Sequence, residues 1–322
     1  MYQEIISEVV KNKAAQGGVK QVFFIACGGS LTAYYASKYY LESESKALSV
    51  GYYSSNEFVH ATPARLGPNS VVFLSSHRGN TPETVEAAKI AKARGATNIV
   101  LTYINESPIT AYADHVVNYE WGDDIRHSLS KPGVALRLTV ELLEQVEGTG
   151  IYAAMQQAFA IFDEVTDKAK EQVQSRAEAF ASECVNASPI YVMSSGAGWG
   201  SAHQESICVL LEMQWIDSSS VHSGEYFHGP FEITDQDKTF ILMMTAGRTR
   251  PLDERALKFL KEHCGHLYVI DAVELGAQAF GEAAEFVSGL LLTSCIGVYN
   301  RALAKARNHP LTDRRYMWKL EY

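Results

Sequence analysis

Short runs of apolar residues alternate along the chain with longer stretches whose apolar positions recur at helical spacing. Residues 22–27, 71–76, 98–104 and 116–121 read as strands, with a weaker run at 47–53 ahead of the Ser54-Ser55-Asn56 turn. Several runs are apolar at nearly every position, the pattern of strands covered on both faces. Helical periodicity fills 31–43, 82–94 and 133–147 between them. The alternation predicts an α/β domain, a parallel sheet flanked by helices.

From 151 to 183 the strand signal stops. The segment has no Gly or Pro and is rich in Ala, Glu, Gln and Lys, which predicts a helical connector rather than a flexible linker. Strand-like runs resume at 189–194, 239–245 and 267–272, and a long helix is expected over about 279–308. The order of elements therefore repeats. The expected organisation is two tandem three-layer αβα units, 1–150 and 186–322, joined by a helical connector at 151–185. The last stretch, HPLTDRRYMWKLEY, is too polar for a core and too aromatic for a disordered end.

Two breaks in the apolar pattern resemble each other. ACGGS at 26–30 and SSHRGNTPET at 75–84 both stand where a strand turns into a helix. Unpaired N–H groups and the helix dipole favour anions at such ends. Gly28 and Gly29 permit close backbone approach, Ser30 adds a hydroxyl, and Ser76, Arg78 and Thr81 repeat the arrangement. Thr81 is expected to cap a helix beginning at Pro82. One such turn is usually a well-capped turn and nothing more. Two at the carboxyl ends of neighbouring strands lie where open α/β sheets bind ligands, and the chemistry suits a phosphate monoester. A dinucleotide is disfavoured: CGGSLTA does not fit G-x-G-x-x-G, GAGWGS carries Ser201 in place of the third Gly, and no Walker A loop occurs. Glu57 and Ser130, at strand ends of the first half, are open to two readings, substrate contacts or turn and cap residues.

Composition narrows the classes. The formal charge of −9 argues against a nucleic-acid surface, and 47% hydrophobic with 20% charged residues is ordinary for a globular chain. Five Cys, at 27, 184, 208, 264 and 295, form no C-x-x-C pair, so reduced thiols are expected rather than a zinc site or disulfide framework. His222, Glu225 and His228 are spaced H-x-x-E-x-x-H with Gly224 inside, not H-E-x-x-H, so no metal is expected there. The N-terminus reads as an amphipathic helix, not a secretory leader, and the apolar stretch 290–298 is broken by Thr293, Ser294 and Gly297. A soluble cytoplasmic protein is expected.

Taken with the segment from Glu212 to His228, ACGGS and LSSHRGNTPET resemble the sugar isomerase (SIS) family in tandem, over nearly the whole chain. The resemblance implies two SIS domains and a sugar 6-phosphate held by Ser30, Ser76, Arg78 and Thr81. Arg78 departs from the family's small hydroxyl residue, as a cation on the phosphate or a side chain turned away from it. LLEMQWIDSSSVHSGEYFHGPFEITD and VYNRALAKARNHPLTDRRYMWKLEY sharpen the likeness to the fructosamine 6-phosphate deglycases, fructoselysine 6-phosphate being the expected substrate. The isomerase half of glucosamine 6-phosphate synthase is a more distant likeness. It implies a catalytic role for Glu212, for His228 in a G-E-x-x-H-G-P turn 16 residues later, and for Lys319, with Glu205 as a second acidic residue.

A deglycase must open the sugar ring, move a proton from C1 to C2 through an enaminol, and hydrolyse the C1 imine to glucose 6-phosphate and amino acid. No cofactor is implied, since the substrate's amine serves as electron sink. Glu212 lies in the apolar stretch ICVLLEMQW, so burial is expected to raise its pKa toward a shuttling base. Glu205 stands seven residues earlier, on the same face of an α-helix, where it orients or binds. His228 suits ring opening or protonation of the leaving group. In relatives its loop completes a neighbouring subunit's site, which implies a homo-oligomer. Lys319 has several roles open to it: a Schiff base as in the synthase, binding of sugar hydroxyls, or a pair with Glu321, with Trp318 and Tyr322 packing the tail over the site. The alternatives are an amino-sugar 6-phosphate deaminase or isomerase and a non-catalytic phosphosugar sensor. The sensor is disfavoured because no DNA-binding or other appended domain is visible. The complete glutamine-dependent synthase is disfavoured because the chain opens Met1-Tyr2, without a nucleophile Cys.

Overall fold

A computed structural model describes residues 1–122 and 124–321 and divides the chain into two compact units, Met1–Phe159 and Ala160–Tyr322. The first unit holds five parallel strands: β1 (Gln21–Ala26), β2 (Ser49–Ser54), β3 (Ser70–Ser75), β4 (Thr97–Leu101) and β5 (His115–Val117). Their order, β2-β1-β3-β4-β5, is doubly wound. It reverses direction between β1 and β3, the point outside whose carboxyl ends such sheets bind ligands. Helices α1 (Tyr2–Ala14), α2 (Gly28–Thr32), α3 (Tyr35–Glu44), α4 (Ser55–His60), α5 (Pro82–Ala93) and α6 (Lys131–Val146) flank the sheet. On one face Phe23, Ile25, Val72, Leu74 and Val100 bury against Phe58 of α4 and Ala87, Ala88 and Ala91 of α5. On the other, Phe24 stacks on Phe73 with ring centroids 5.3 Å apart and also meets Tyr34. Both faces being dry, β3 is buried at all six positions, as its apolar run requires. Each fully buried large side chain contributes roughly 1.5–3 kcal/mol.

The segment expected as a helical connector is one 32-residue helix, α7 (Tyr152–Glu183), and the boundary between the units falls inside it. The second unit repeats the winding with β6 (Ile190–Ser194), β7 (Ser218–His222), β8 (Thr239–Met244) and β9 (His266–Asp271), in the order β7-β6-β8-β9. Strand β7, Ser-Ser-Ser-Val-His, has no apolar run to announce it. It is an edge strand whose Ser218 hydroxyl donates to the Ile190 carbonyl at 2.7 Å. Helices α8 (Trp199–Gln204), α9 (Arg250–His263) and α10 (Ala284–Ala306) complete the unit. The apolar stretch at 290–298 lies inside the long helical run expected over about 279–308. Ala277–Ala306 is long and apolar enough to cross a membrane by length and composition, and 67% of its most apolar window is buried inside the fold. That burial is what a core helix needs, and Leu291, Leu292 and Cys295 are fully buried there.

Candidate active site

In the first unit the register pairs Ala26 of β1 with Ser75 of β3, so ACGGS and SSHRGNTPET leave the sheet side by side at the switch point. The turn after β1 reverses at Gly28, φ +51°, and leads into α2, with Gly29 and Ser30 partly exposed. The turn after β3 bends at Gly79, φ +67°, where a Cβ would collide with the Ser107 side chain. The Gly79 carbonyl also accepts the Ile109 N–H at 3.0 Å, which pins the turn from outside. Thr81 is the residue before α5 and Pro82 opens the helix, as expected, but the threonine side chain makes no cap bond. Its hydroxyl is instead 2.9 Å from the buried Ser76 hydroxyl, which also receives the Thr81 N–H. Ser76 and Thr81 are thereby brought together as a hydroxyl pair. Arg78 is exposed on the same turn. Glu57 is exposed in the first turn of α4, and the Ser130 hydroxyl is turned back onto the His127 carbonyl at 2.6 Å.

The neighbour of Ser130 escaped the sequence reading. Lys131 opens α6, is only 8% exposed, and its ammonium group donates to the Ser30 hydroxyl at 2.7 Å. The same nitrogen lies 5.1 Å above the Tyr119 ring, and the Tyr119 hydroxyl is 2.8 Å from His77 Nδ1. Burial lowers the His77 pKa, and the nearby charges of Lys131 and Arg78 add to the effect. His77 also stacks on Tyr103, 5.2 Å away and nearly parallel, and leans on Trp121. A signal was present in the sequence: a lysine in the first turn of a helix opposes the helix dipole and needs an anionic or polar partner.

The second unit's switch point is closed on itself. Gly196, φ +52°, follows β6, and a Cβ there would collide with the Thr249 side chain, beyond β8. Ser195 donates to the Thr249 carbonyl at 3.2 Å, and the Arg248 guanidinium is paired with Glu285 at 2.8 Å. The space that the first unit lines with hydroxyls is here filled by the protein's own loops.

The acidic residues lie elsewhere in the second unit. Helix α8 runs into Glu205–Met213, which is wound as a π-helix, its i→i+5 bonding continued by Gln214 N–H to the Val209 carbonyl. Each π turn takes more residues than an α turn, so seven steps no longer return to the same face. The expectation that Glu205 and Glu212 share a face is overturned for this reason. Burial expected at Glu212 falls instead on Glu205, which is 2% exposed and accepts a 2.8 Å bond from Asn300 of α10. Desolvation pushes the Glu205 carboxyl up to about 8, against the opposing pull of the Asn300 bond. Glu212 is half-buried, with 26% of its side chain exposed; its Oε1 accepts a 2.8 Å bond from Arg314 Nε. Its Oε2 has no hydrogen-bond partner among the described residues.

Glu212 lines an open groove of about 500 Å³ with Leu211, Trp215, Asp217, Arg314 and Arg315. Arg314 is buried where the irregular tail folds back, and its guanidinium also bonds the Leu311 and Asp313 carbonyls and lies 5.4 Å from the centre of the Trp318 ring. Lys319 donates to the Arg314 carbonyl, so it is tied to the tail that carries Glu212's partner. Trp318 itself is 64% exposed, and Tyr322 lies outside the described residues. His228 is exposed at the end of the turn Tyr226–His228, beside Gly229 at φ +134°, and its ring has no hydrogen-bond partner among the described residues. His222, by contrast, is half-buried and accepts the Gly224 N–H at 3.0 Å.

Comparison with known proteins bears on this arrangement. The SIS domain model matches residues 18–140. Fructosamine deglycase FrlB of Bacillus subtilis (strain 168) is 42% identical over 305 residues, 94% of this chain and 93% of that protein. Fructoselysine 6-phosphate deglycase of Escherichia coli (strain K12) is 29% identical over 84% of this chain and 77% of its own length. A crystal structure of a candidate phosphosugar isomerase from Salmonella typhimurium superposes with a TM-score of 0.96 at 47% identity, covering 100% of this chain and 97% of the other. With such identity over nearly the full length of both partners, the chain belongs to the fructosamine deglycase family of SIS-domain proteins.

Proposed function

We propose that this protein is a fructosamine 6-phosphate deglycase, cleaving the C1–N bond of an Amadori compound by hydrolysis to glucose 6-phosphate and an amino acid. The observation that carries the reading is the full-length identity to a fructosamine deglycase. Fructoselysine 6-phosphate is the expected substrate, after the name of the second relative. The first unit is read as the phosphosugar-binding SIS domain. Its hydroxyl pair Ser76–Thr81 and the Ser30–Lys131 pair suit a dianionic phosphate, since hydroxyl donors and one buried cation supply charge-assisted hydrogen bonds.

Glu212 is assigned the C1/C2 proton. With Arg314 fixing Oε1, Oε2 remains to take the C1 proton of the open-chain ketose. The C1–H electron pair forms the C1=C2 bond while the C2 carbonyl oxygen gains a proton, giving the enaminol. Return of the proton to C2 draws the nitrogen lone pair into a C1=N bond. Water then adds at C1, the C1–N bond breaks, and the amine leaves with a proton. His228 is assigned ring opening or that last proton. Its exposure on a glycine-hinged turn supports a site completed between copies of the chain, in a homo-oligomer of the cytoplasm. Glu205 is assigned a positioning role at the start of the π-helix.

Incubation with fructoselysine 6-phosphate tests the reading directly. Equal amounts of glucose 6-phosphate and lysine are expected, and no release of either refutes the activity on that amine. Glu212→Gln should abolish turnover while phosphosugar still protects against thermal unfolding. Retained turnover removes Glu212 from its role.

A further inference from the structure

We infer that the groove beside Glu212 is the subsite for the amino-acid part of the substrate, with Arg315 as the residue that binds its carboxylate. The inference rests on the deglycase reading. If Glu212 takes the C1 proton, the nitrogen on C1 lies within a bond of that carbon, and whatever the nitrogen carries must occupy space adjoining Glu212. The groove, about 500 Å³, is the space that Glu212 itself lines. Its size is that of a small-molecule pocket.

Its charges are unequally committed. Arg314 is engaged with Glu212 and with two tail carbonyls. Arg315, the next residue, has its guanidinium 4.5 Å over the Trp215 ring and makes no ion pair or hydrogen bond among the described residues. A guanidinium stacked on an aromatic face is held in one plane with its donor fork still open, the geometry for bidentate capture of a carboxylate. Asp217, in the same groove, has only a 3.5 Å contact from the Ser188 hydroxyl on its carboxylate. The groove thus presents both signs of charge, and an amino acid joined to the sugar carries both a carboxylate and a cationic nitrogen.

The floor is fixed as well. Trp215 follows the π-helix with φ +54°, left-handed backbone that is unfavourable for a bulky residue. Its ring is clamped edge-on by His309, 4.4 Å away, on top of the contact with Arg315. Trp215 and Leu211, each 42% exposed, supply apolar surface for the methylenes between the two charged ends. Arg315 is therefore a specificity residue that selects amines bearing a carboxylate.

The test uses four substrates: the fructose 6-phosphate adducts of lysine and valine, and of their decarboxylated counterparts cadaverine and isobutylamine. The wild type is expected to favour the better amino-acid adduct over its counterpart by about 10- to 100-fold in kcat/KM, the range of one charge-assisted contact. In Arg315→Met that ratio should collapse toward one, through KM, and Arg315→Lys should restore part of it. A wild type that does not distinguish acid from amine, or a ratio unchanged in Arg315→Met, overturns the subsite while leaving the deglycase reading intact. No glucose 6-phosphate from any of the four overturns both.

Discussion

Replacing Glu205 by Gln tests whether the π-helix buries a carboxyl that is neutral at physiological pH. Glu205 is 2% exposed, and its carboxyl is raised from the ordinary 4.5 to about 8 by desolvation. The folded state therefore holds a proton that the unfolded chain has released across that whole window. Stability from this group is complete below about pH 4.5 and is lost as pH rises toward and through 8, by about 1.4 kcal/mol per unit within the window. Over the full window the loss tends to roughly 5 kcal/mol as an upper bound. Gln keeps the shape, accepts the same Asn300 bond through its amide oxygen, and does not titrate. The variant and the wild type should accordingly be equally stable near pH 4.5 and diverge as pH rises, the variant being the more stable at pH 8. Urea unfolding followed by tryptophan fluorescence at intervals from pH 5 to 8.5 reads this out. With a slope of about 2–3 kcal/mol/M, midpoints should separate by about 1–2 M at the alkaline end. Parallel curves for the two proteins would falsify the assignment of a raised pKa to Glu205.

Two further outcomes follow from the site. Lys131→Met should weaken protection by inorganic phosphate in a thermal-shift titration by about tenfold or more, since one charge-assisted hydrogen bond contributes roughly 1.5–3 kcal/mol. Equal protection of variant and wild type removes Lys131 from the phosphate site. If sites are shared between subunits, unfolding and refolding a mixture of inactive Glu212→Gln and His228→Ala chains should regenerate activity in mixed oligomers, whereas activity no higher than that of the separate variants would place both residues' work within one chain.

The order of strands and helices was legible because strands buried on both faces leave continuous apolar runs, as in β1 and β3. Strand β7 was not, because an edge strand of serines is recruited by pairing with β6 and has no local signature of its own. The polar turns ACGGS and SSHRGNTPET were equally visible, being interruptions in those runs. The partnership within them was not: Ser30 meets Lys131, 101 residues later in the chain, only once α6 packs on the unit. The spacing of Glu205 and Glu212 was misleading for a related reason. Periodicity assumes the α-helical repeat, and the π winding that separates the two side chains is a property of the folded segment.

Sequence alone thus determined where the doubly buried strands, the regular helices and the polar turns between them lie, since those preferences are set by neighbours within a few residues. Its resemblance to the SIS family also singled out Glu212 and His228 as candidates. Tertiary structure alone decided which carboxyl is desolvated, which lysine stands at the hydroxyl turn, and which arginine is paired with Glu212 and which is left open. Burial and charge pairing depend on what long-range packing brings alongside a side chain, and that information is not local in the chain.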